Sequence, residues 1–364
     1  MHQLLYQIAL TLIPGIGDVL AKNLVSYCGG VEAIFKQKKS RLLQIPGIGE
    51  RLAEAIVQFK DFKAAETEVD FITKHGIITH FYLDQNYPAR LKLIADAPIL
   101  LYSLGNANLE AQKIVGVVGT RKATEYGKVV TEQLVEMLKP LGVLVISGLA
   151  LGIDAAAHKN AIKQDLQTVG VLAHGLDRIY PAQHKNLAKQ MLNNGGLLTE
   201  FPSKTNPDRE NFPKRNRIVA GLSDVLVVVE TGVKGGAMIT AEIANTYNKE
   251  VMAVPGRASD EFSFGCNSLI KLNKANILTV PEDLLALMGW QAPQQQSLRN
   301  TQIKIPLSEK ELSVVSVVKE KLKVGIDDLA FHLQIDNGTL SLLLLDLEFK
   351  GIIRSLPGKY YELM

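Results

Sequence analysis

Positively charged side chains lie beside the predicted strands in the middle of the chain. The set comprises Thr120 with the cations Arg121, Lys122, Lys185, Lys214, Arg215 and Arg217. Because the carboxyl ends of parallel strands meet at one edge of a sheet, residues from different turns can line a common site there. We therefore expect these side chains to converge on one edge and to bind an anionic ligand.

An aromatic residue, Phe212, lies in the same polar stretch as three of these cations, together with Asn206 and Asn211. A strip of cations beside an aromatic ring suits single-stranded nucleic acid, because phosphates follow a positive groove while an exposed base stacks on the ring. A single lysine is usually only a solvated surface residue, whereas several on one rim indicate a binding surface. The pattern favours a nucleic-acid strand as the anion.

The elements that must hold these residues have the pattern of an open parallel sheet. Short apolar runs at residues 114–118 and 143–146 lead into glycine-rich turns at Gly119 and Gly148, and a helical pattern follows each turn. This alternation is typical of β-α-β units. Residues 112–288 are therefore predicted to form a Rossmann-like α/β domain.

A third apolar run, residues 225–229, is continuous and rich in branched side chains. Such runs are typical of a central strand that is buried on both faces. The next predicted helix begins at Gly235 and Gly236, so this turn belongs to the same edge of the sheet as the turn at Gly119.

The N-terminal part contains an internal repeat, because residues 12–17 (LIPGIG) return in similar form as residues 44–49 (QIPGIG). Residues 1–65 are thus predicted to form an all-α, tandem helix-hairpin-helix module. A Gly-Ile-Gly turn before a helix exposes backbone N–H groups on which a phosphate can dock, although the same sequence also makes a compact turn between packed helices. The candidate residues of a second DNA contact are Gly15, Gly17, Lys22, Gly47, Gly49 and Arg51.

The remaining segments are predicted to connect, pack or bind protein. Residues 66–111 indicate an arm that packs on the sheet and adds an edge strand near residues 77–82, and residues 289–306 indicate a linker. Residues 307–364 show three helical patterns and a hairpin, which is typical of a winged-helix-like module. Residues 339–349 hold no arginine, and the module has seven basic and nine acidic residues, so we expect protein contact or packing here rather than DNA binding.

The composition narrows the class of protein. The formal net charge is only +3, and two cysteines, Cys28 and Cys266, cannot form a disulfide scaffold, so we expect a reducing cytoplasm. The N-terminus lacks the pattern of a signal peptide, and no apolar run is long enough to span a membrane.

Signatures of small cofactors and metals are missing from the sequence. It contains no phosphate-binding P-loop and no dinucleotide fingerprint. The histidines do not have the spacing of metal ligands, so we expect no metal and no cofactor. We interpret the carboxylates of this domain as helix caps and ion-pair partners, namely Asp154, Asp177, Glu200, Glu230 and Glu242.

Several strings resemble the DNA-processing protein A (DprA/Smf) family. The most specific are SGLALGIDAAAH at residues 147–158 and FPKRNRIVAGLS at residues 212–223. Further matches are Gly119-Thr120-Arg121, Gly175-Leu176-Asp177 with Tyr180-Pro181, residues 236–241 and Val254-Pro255-Gly256. With its flanking modules, the resemblance spans nearly the whole chain.

The resemblance implies a DNA-binding protein of natural transformation that is not an enzyme. It implies that the protein binds and shields incoming single-stranded DNA, helps to load the RecA recombinase and forms a homodimer through the later part of the sheet domain. Arg121, Lys185, Arg215 and Arg217 would line the DNA groove, and the glycines would let backbone amides meet phosphate. Thr120 stands where serine is common, and His174 stands where a small residue is usual, which leaves the turn at residue 174 undetermined.

An enzyme is the competing interpretation. Gly235-Gly236, Thr240 and Glu242 faintly resemble the loop of Rossmann-like nucleoside-monophosphate phosphoribohydrolases. In this chain Lys234 replaces the proline of that loop, and the spacing between glycine and threonine differs. A hydrolase of this kind would use Glu242 as its catalytic carboxylate.

Overall fold

The computed structural model describes residues 2–291, 307–321, 323–356 and 358–363. The chain divides into two compact units, Met1–Pro293 and Gln294–Met364, and each is described by itself. Most of the predicted linker lies outside the described residues. The helix before it ends at Met288, followed by Gly289 in the left-handed conformation.

Six helices form the N-terminal layer: α1 (His2–Thr11), α2 (Asp18–Cys28), α3 (Val31–Phe35), α4 (Lys39–Leu42), α5 (Glu50–Val57) and α6 (Phe62–His75). The repeated turns precede α2 and α5, and Gly15 and Gly47 have φ values of +83° and +85°. A Cβ at Gly15 would lie 2.9 Å from Leu52 Cδ2, and one at Gly47 would lie 2.8 Å from Leu20 Cδ2. Each turn therefore packs against the helix that follows the other turn, so these glycines hold the two repeats together.

The second layer is a nine-stranded sheet in the order β1-β2-β6-β5-β4-β3-β7-β8-β9. Its strands are β1 (Ile78–Phe81), β2 (Leu100–Gly105), β3 (Ile114–Val118), β4 (Leu144–Ser147), β5 (Thr168–Val171), β6 (Gly195–Thr199), β7 (Val225–Val228), β8 (Glu250–Ala253) and β9 (Asn276–Ile277). Strands β3 to β9 are parallel, and β2 joins β6 antiparallel and carries β1 at the edge. The predicted open parallel sheet is confirmed.

Helices cover both faces of this sheet. They are α7 (Ala89–Lys92), α8 (Glu125–Leu138), α9 (Ile153–Lys163), α10 (Lys185–Met191), α11 (Asn211–Leu222), α12 (Gly236–Thr246), α13 (Phe264–Lys271) and α14 (Glu282–Met288). Side chains alternate along the strands, so Ile114 and Val118 pack with α11 and α12, while Val115 and Val117 pack with α8 and α9. Since β3 lies between β4 and β7, the chain changes direction across the sheet at β3, where ligands of this fold class bind.

The N-terminal layer shares its core with the antiparallel edge of the sheet. Ile8, Leu24 and Ile34 of the helices belong to the same buried cluster as Phe81 of β1 and Tyr102 of β2. The helical layer is therefore anchored on one edge of the sheet rather than joined to it by a loose connection.

The C-terminal unit contains α15 (Glu309–Lys321), β10 (Val324–Gly325), α16 (Ile326–Leu333), α17 (Asn337–Phe349), β11 (Ile353–Leu356) and β12 (Tyr360–Leu363). Its strands pair antiparallel in the order β10-β12-β11. Helix α17 buries Leu340, Leu344 and Leu347 but exposes Leu342 at 70% and Phe349 at 81%. These elements match the predicted helices and hairpin, with β10 in addition, and their assignment as a winged helix stays a prediction.

Candidate nucleic-acid interface

A cleft of about 680 Å³ opens at the carboxyl ends of β3, β4 and β7. Its walls are the turns after these strands, the first turns of α11 and α12, and residues 261–264. Eight of the eleven residues predicted for the main site line it: Gly119, Thr120, Arg121, Lys122, Gly148, Phe212, Arg215 and Gly236. The structure thus brings most of the predicted site together.

The turn between β4 and α9 is approached so closely by its neighbours that it requires glycine at two positions. Gly152 has a φ of +80°, and a Cβ there would lie 2.1 Å from Thr120 O. A Cβ at Gly148 would lie 2.0 Å from an Arg215 guanidinium nitrogen. Gly148 is therefore needed for the arginine beside it, whereas the resemblance assigned it to phosphate approach.

Arg215 has a structural role that its predicted role as a groove residue did not include. It is 5% exposed and donates to the carbonyl oxygens of Gly148 and of Val171, the latter at 2.7 Å. Burial lowers the pKa of Arg215, while the charge of Asp154, itself 6% exposed, opposes that shift. Burial likewise raises the pKa of Asp154, against the effect of Arg215. The buried arginine joins the turn after β4 to the end of β5 and places positive charge at the floor of the cleft.

Phe212 and Arg121 form the open rim of the cleft. The Arg121 guanidinium carbon lies 5.3 Å from the centre of the Phe212 ring, and that of Arg215 lies 6.0 Å from it. Arg121 is exposed, and the Tyr180 ring lies 6.3 Å from Phe212. A small adjoining pocket continues past Tyr180 to Leu172. One side of the cleft therefore offers an aromatic face next to a solvent-exposed cation.

Lys214 and Arg217 line a different cleft, of about 500 Å³, between the sheet and the N-terminal helices. Glu200 and Pro202, which follow β6, also line this second cleft, so Lys214 and Arg217 lie at the predicted edge of the sheet but do not share the cleft of Arg121 and Arg215. Helix α11 begins at Asn211, and residues two apart on a helix point about 200° apart, so Arg215 and Arg217 lie on different faces. Lys185 lies exposed in the first turn of α10 and is not among the residues that line either cleft.

Arg217 is held by carboxylates. Its side chain is 11% exposed, pairs with Asp18 at 3.0 Å and with Glu200, and donates to the Asp96 carbonyl oxygen. Burial, aided by the charge of Asp18, raises the pKa of Glu200 to about 7, against the attraction of Arg217 and Lys214. The sequence missed Asp18 as a partner because no local pattern links it to α11.

The pKa of Glu200 predicts a pH-dependent contribution to stability. The pKa of Glu200 is about 7 in the folded state, against 4.5 for an ordinary glutamate. The folded state therefore binds the carboxyl proton of Glu200 more tightly than the unfolded state does. The contribution is full below about pH 4.5, is lost as the pH rises through 7, and amounts to at most about 3 kcal/mol. We expect the free energy of unfolding in urea to fall more between pH 5 and pH 8 for the parent than for Glu200→Gln. Equal slopes for the two proteins would contradict the assignment.

The helix-hairpin-helix residues offer less to DNA than the sequence indicated. Asp18 and Glu50 occupy the first turns of α2 and α5, where a phosphate would otherwise dock, and a carboxylate there repels it. Lys22 donates to the Ala95 carbonyl oxygen at 3.1 Å, and burial lowers its pKa. Of the two cations predicted to contact DNA in this module, only Arg51 is exposed. The predicted DNA contact of Lys22 is therefore not supported, and Gly15 and Gly47 serve the packing of the two turns, while the contacts of Gly17, Gly49 and Arg51 stay predictions.

The structure shows how the turn at His174, which the sequence left undetermined, is held by hydrogen bonds of the histidine ring. The side chain is 1% exposed, its Nε2 accepts from Tyr180 N at 3.2 Å, and its Nδ1 lies 2.9 Å from the Gly175 carbonyl oxygen. These partners assign a neutral ring with the proton on Nδ1, in keeping with the burial that lowers its pKa. The histidine closes the turn in place of a small residue.

The carboxylates near the strand ends have structural partners. Glu230 is 5% exposed and accepts from Thr124 N at 3.0 Å, which ties β7 to the start of α8. Glu242 is about half exposed and pairs with Lys274 at 2.8 Å. It is not among the residues that line the cleft, so its placement gives no support to the hydrolase interpretation.

Two findings concern metals and membranes. Among the described residues, no group of three or more histidines, cysteines and carboxylates could hold a metal ion. A search of the same residues finds no helix with the length and apolar character that crossing a bilayer requires.

Comparisons with known families match both parts of the N-terminal unit. The family described as DNA recombination-mediator protein A matches residues 78–289, and the SAM-like helix-hairpin-helix tandem matches residues 8–59. The predicted tandem helix-hairpin-helix module is therefore confirmed.

Named relatives and solved structures agree with this match. The chain is 32% identical to Protein Smf of Synechocystis over 98% of both proteins, and 40% identical to the DNA processing protein DprA of Bacillus subtilis over 54% of this chain and 67% of the relative. The X-ray structure of DprA from Streptococcus pneumoniae is similar with a TM-score of 0.68 and 31% identity, covering 78% of this chain and 97% of that one. DNA processing protein A from Helicobacter pylori, described for its single-stranded DNA binding mode, has a TM-score of 0.54 and 30% identity over 58% of this chain and 95% of its own.

Proposed function

Because the chain belongs to the DNA-processing protein A (DprA/Smf) family, we propose that it binds single-stranded DNA in the cleft at β3, β4 and β7. The observation that carries the proposal is the pairing of exposed Arg121 with the Phe212 ring on the cleft rim. A cation beside an aromatic face suits single-stranded DNA, because the cation can bind a phosphate while the neighbouring unpaired base stacks on the ring.

The backbone of the cleft supports this assignment. Gly236 is the first residue of α12, and a Cβ there would have open space around it. Free N–H groups at a helix N-terminus bind anions, and this end of α12 shares the cleft with Lys122 and Lys234. A phosphate held here would lie across the cleft from Phe212, so the strand would pass over the turn after β3.

Direct binding to oligonucleotides tests the proposal. A labelled poly-dT strand should bind the full protein, and the logarithm of the association constant should fall linearly with the logarithm of the salt concentration, because phosphate contacts release counterions. A duplex of the same length is the control, since its bases are not available for stacking. Salt-independent binding, or equal binding of the duplex, would sink the assignment of this cleft.

The family also supports a wider role as a recombination mediator. We propose that the protein shields incoming DNA in natural transformation, helps to load the RecA recombinase and acts in the cytoplasm as a homodimer. It should therefore shorten the lag before RecA forms filaments on a single strand, and the Arg121→Ala variant should not.

As a mediator the protein should turn over no nucleotide. Release of free base from AMP-type nucleotides at ordinary turnover would instead establish the phosphoribohydrolase alternative.

The C-terminal unit is expected to contribute little to DNA affinity. In α17 the exposed positions include Leu342, Leu345 and Phe349, and the helix contains no lysine or arginine. Because phosphate neutralisation supplies most non-specific affinity, removal of residues 307–364 should change the dissociation constant for poly-dT by less than about threefold. Fluorescence anisotropy at moderate salt measures this, and a near-complete loss of binding would show that the unit grips DNA.

A further inference from the structure

Residues 200–217 comprise the loop before α11 and the first half of that helix, including Phe212. The N-terminal helices hold this segment at both ends. Near the start, Glu68 of α6, 6% exposed, accepts from Ser203 N at 2.9 Å and from the Ser203 hydroxyl. At the far end, Asp18 of α2 pairs with Arg217 at 3.0 Å. The segment that places the aromatic ring in the cleft is thus held by two carboxylates of the N-terminal helical layer.

The contact at Asp18 also includes the arm between the module and the sheet. One Asp18 oxygen accepts from Ile99 N at 2.7 Å, while the other accepts from Arg217. Arg217 donates in turn to the Asp96 carbonyl oxygen. Three parts of the chain therefore meet at one partly buried carboxylate, which is 25% exposed. Partners that are shared in this way fix the direction of the helix more firmly than a single surface ion pair does.

The two faces of α11 connect this contact to the cleft. Phe212, Arg215, Asn216 and Val219 line the cleft, with the spacing of one helical face. Arg217 lies on the other face, where Asp18 holds it. A rotation of α11 that freed Arg217 would therefore move Phe212 and Arg215 as well.

The internal repeat offers a natural comparison. Asp18 follows the first Gly-Ile-Gly turn, and Glu50 follows the second at the same repeat position. Glu50 is 73% exposed and pairs with Lys39 of its own module at 2.8 Å. The two equivalent residues therefore have different partners. Of the two, only Asp18 is bonded to the sheet domain.

We infer that the N-terminal helical layer orients α11 for DNA binding, with Asp18 and Glu68 as positioning residues that touch no DNA. This inference rests on the proposed single-strand binding at Phe212. It assigns the first hairpin turn to a contact within the protein, whereas a DNA-binding hairpin would present that turn to a phosphate.

The direction in which Asp18→Asn changes the affinity for DNA distinguishes a positioning role from a purely electrostatic one. Asp18→Asn removes a negative charge, which on electrostatic grounds alone strengthens DNA binding. If Asp18 positions α11, the full-length variant should instead bind poly-dT about three- to tenfold more weakly, the range for a lost hydrogen bond. The slope of affinity against salt should stay unchanged, because the number of phosphate contacts is the same.

Glu50→Gln is the matched control, since it removes a negative charge at the same repeat position, and it should leave affinity unchanged. Glu68→Gln should weaken binding as Asp18→Asn does, and it provides a second variant if the first unfolds. Equal or tighter binding by folded Asp18→Asn and Glu68→Gln would overturn the positioning role.

Hydrogen exchange measured without DNA distinguishes failure of this inference from failure of the proposed function. Amides of Asn211–Leu222 should exchange at least several-fold faster in Asp18→Asn than in the parent or in Glu50→Gln. Unchanged exchange would sink the positioning role even if the parent binds DNA. Faster exchange in Asp18→Asn, combined with a parent that binds no poly-dT, would uphold the positioning of α11 and reject only the DNA site.

Discussion

Replacing Arg121 by alanine should weaken binding of a poly-dT oligonucleotide by at least about tenfold at moderate salt. Arg121 is exposed at the rim of the cleft, and its guanidinium lies 5.3 Å from the Phe212 ring. Hydrogen bonds to charged groups contribute about 1.5–3 kcal/mol, so loss of one phosphate contact accounts for the effect. The loss should be similar for all base sequences, because phosphate contacts carry no sequence information.

The salt dependence gives this experiment its second readout. Loss of one phosphate contact should reduce the slope of log K against log salt by about 0.7 for a single strand. Arg51→Ala is a control of the same substitution type, since Arg51 is exposed beside the second hairpin turn. It should change affinity by less than about threefold. If Arg121→Ala binds as tightly as the parent, the assigned cleft is wrong, and if Arg51→Ala loses as much, the hairpins contact DNA after all.

The sheet and eight residues of the cleft could be predicted because their sequence signals are local. An apolar run that ends in glycine and a cation, as at Gly119 and Arg121, is visible in a few neighbouring residues. The fold class then determines where the turn lies, since the ends of parallel strands share an edge. Thr231 and Gly232, which follow β7 and line the same cleft, could have been added by the same rule.

The cations of α11 were predicted to share one site because they are close in sequence. In a helix, however, Arg215 and Arg217 point about 200° apart. The helix begins at Asn211, and the spacing of Phe212, Arg215 and Val219 then defines one face, from which Arg217 is excluded. Closeness in sequence therefore did not place Arg217 in the cleft that Arg215 lines.

Other features could not be predicted because they depend on residues far apart in sequence. The pair between Arg217 and Asp18 spans 199 residues, and the hydrogen bond from Arg215 to Gly148 spans 67. No local periodicity distinguishes Asp18, which holds α11, from Glu50, which does not. Similarly, Lys22 has the sequence context of a phosphate ligand, yet the arm packs over it and accepts its hydrogen bond at Ala95.

Replacing Phe212 by alanine should weaken single-strand binding by about five- to a hundredfold. Stacking of a base on an aromatic side chain contributes about 1–3 kcal/mol, and the ring also orients Arg121 and Arg215, whose guanidinium carbons lie 5.3 and 6.0 Å from its centre. Phe212→Tyr keeps the aromatic face and should bind within about threefold of the parent. Because each base has a face that can stack, poly-dT and poly-dC should be affected alike.

The salt slope separates this variant from Arg121→Ala. Loss of a stacked base removes no phosphate contact, so the slope for Phe212→Ala should equal that of the parent. The double variant should lose less affinity than the two single losses combined, since the ring and the Arg121 guanidinium are in contact and depend on each other. Full additivity of the two losses, or tight binding by Phe212→Ala, would show that the strand does not pass over this rim.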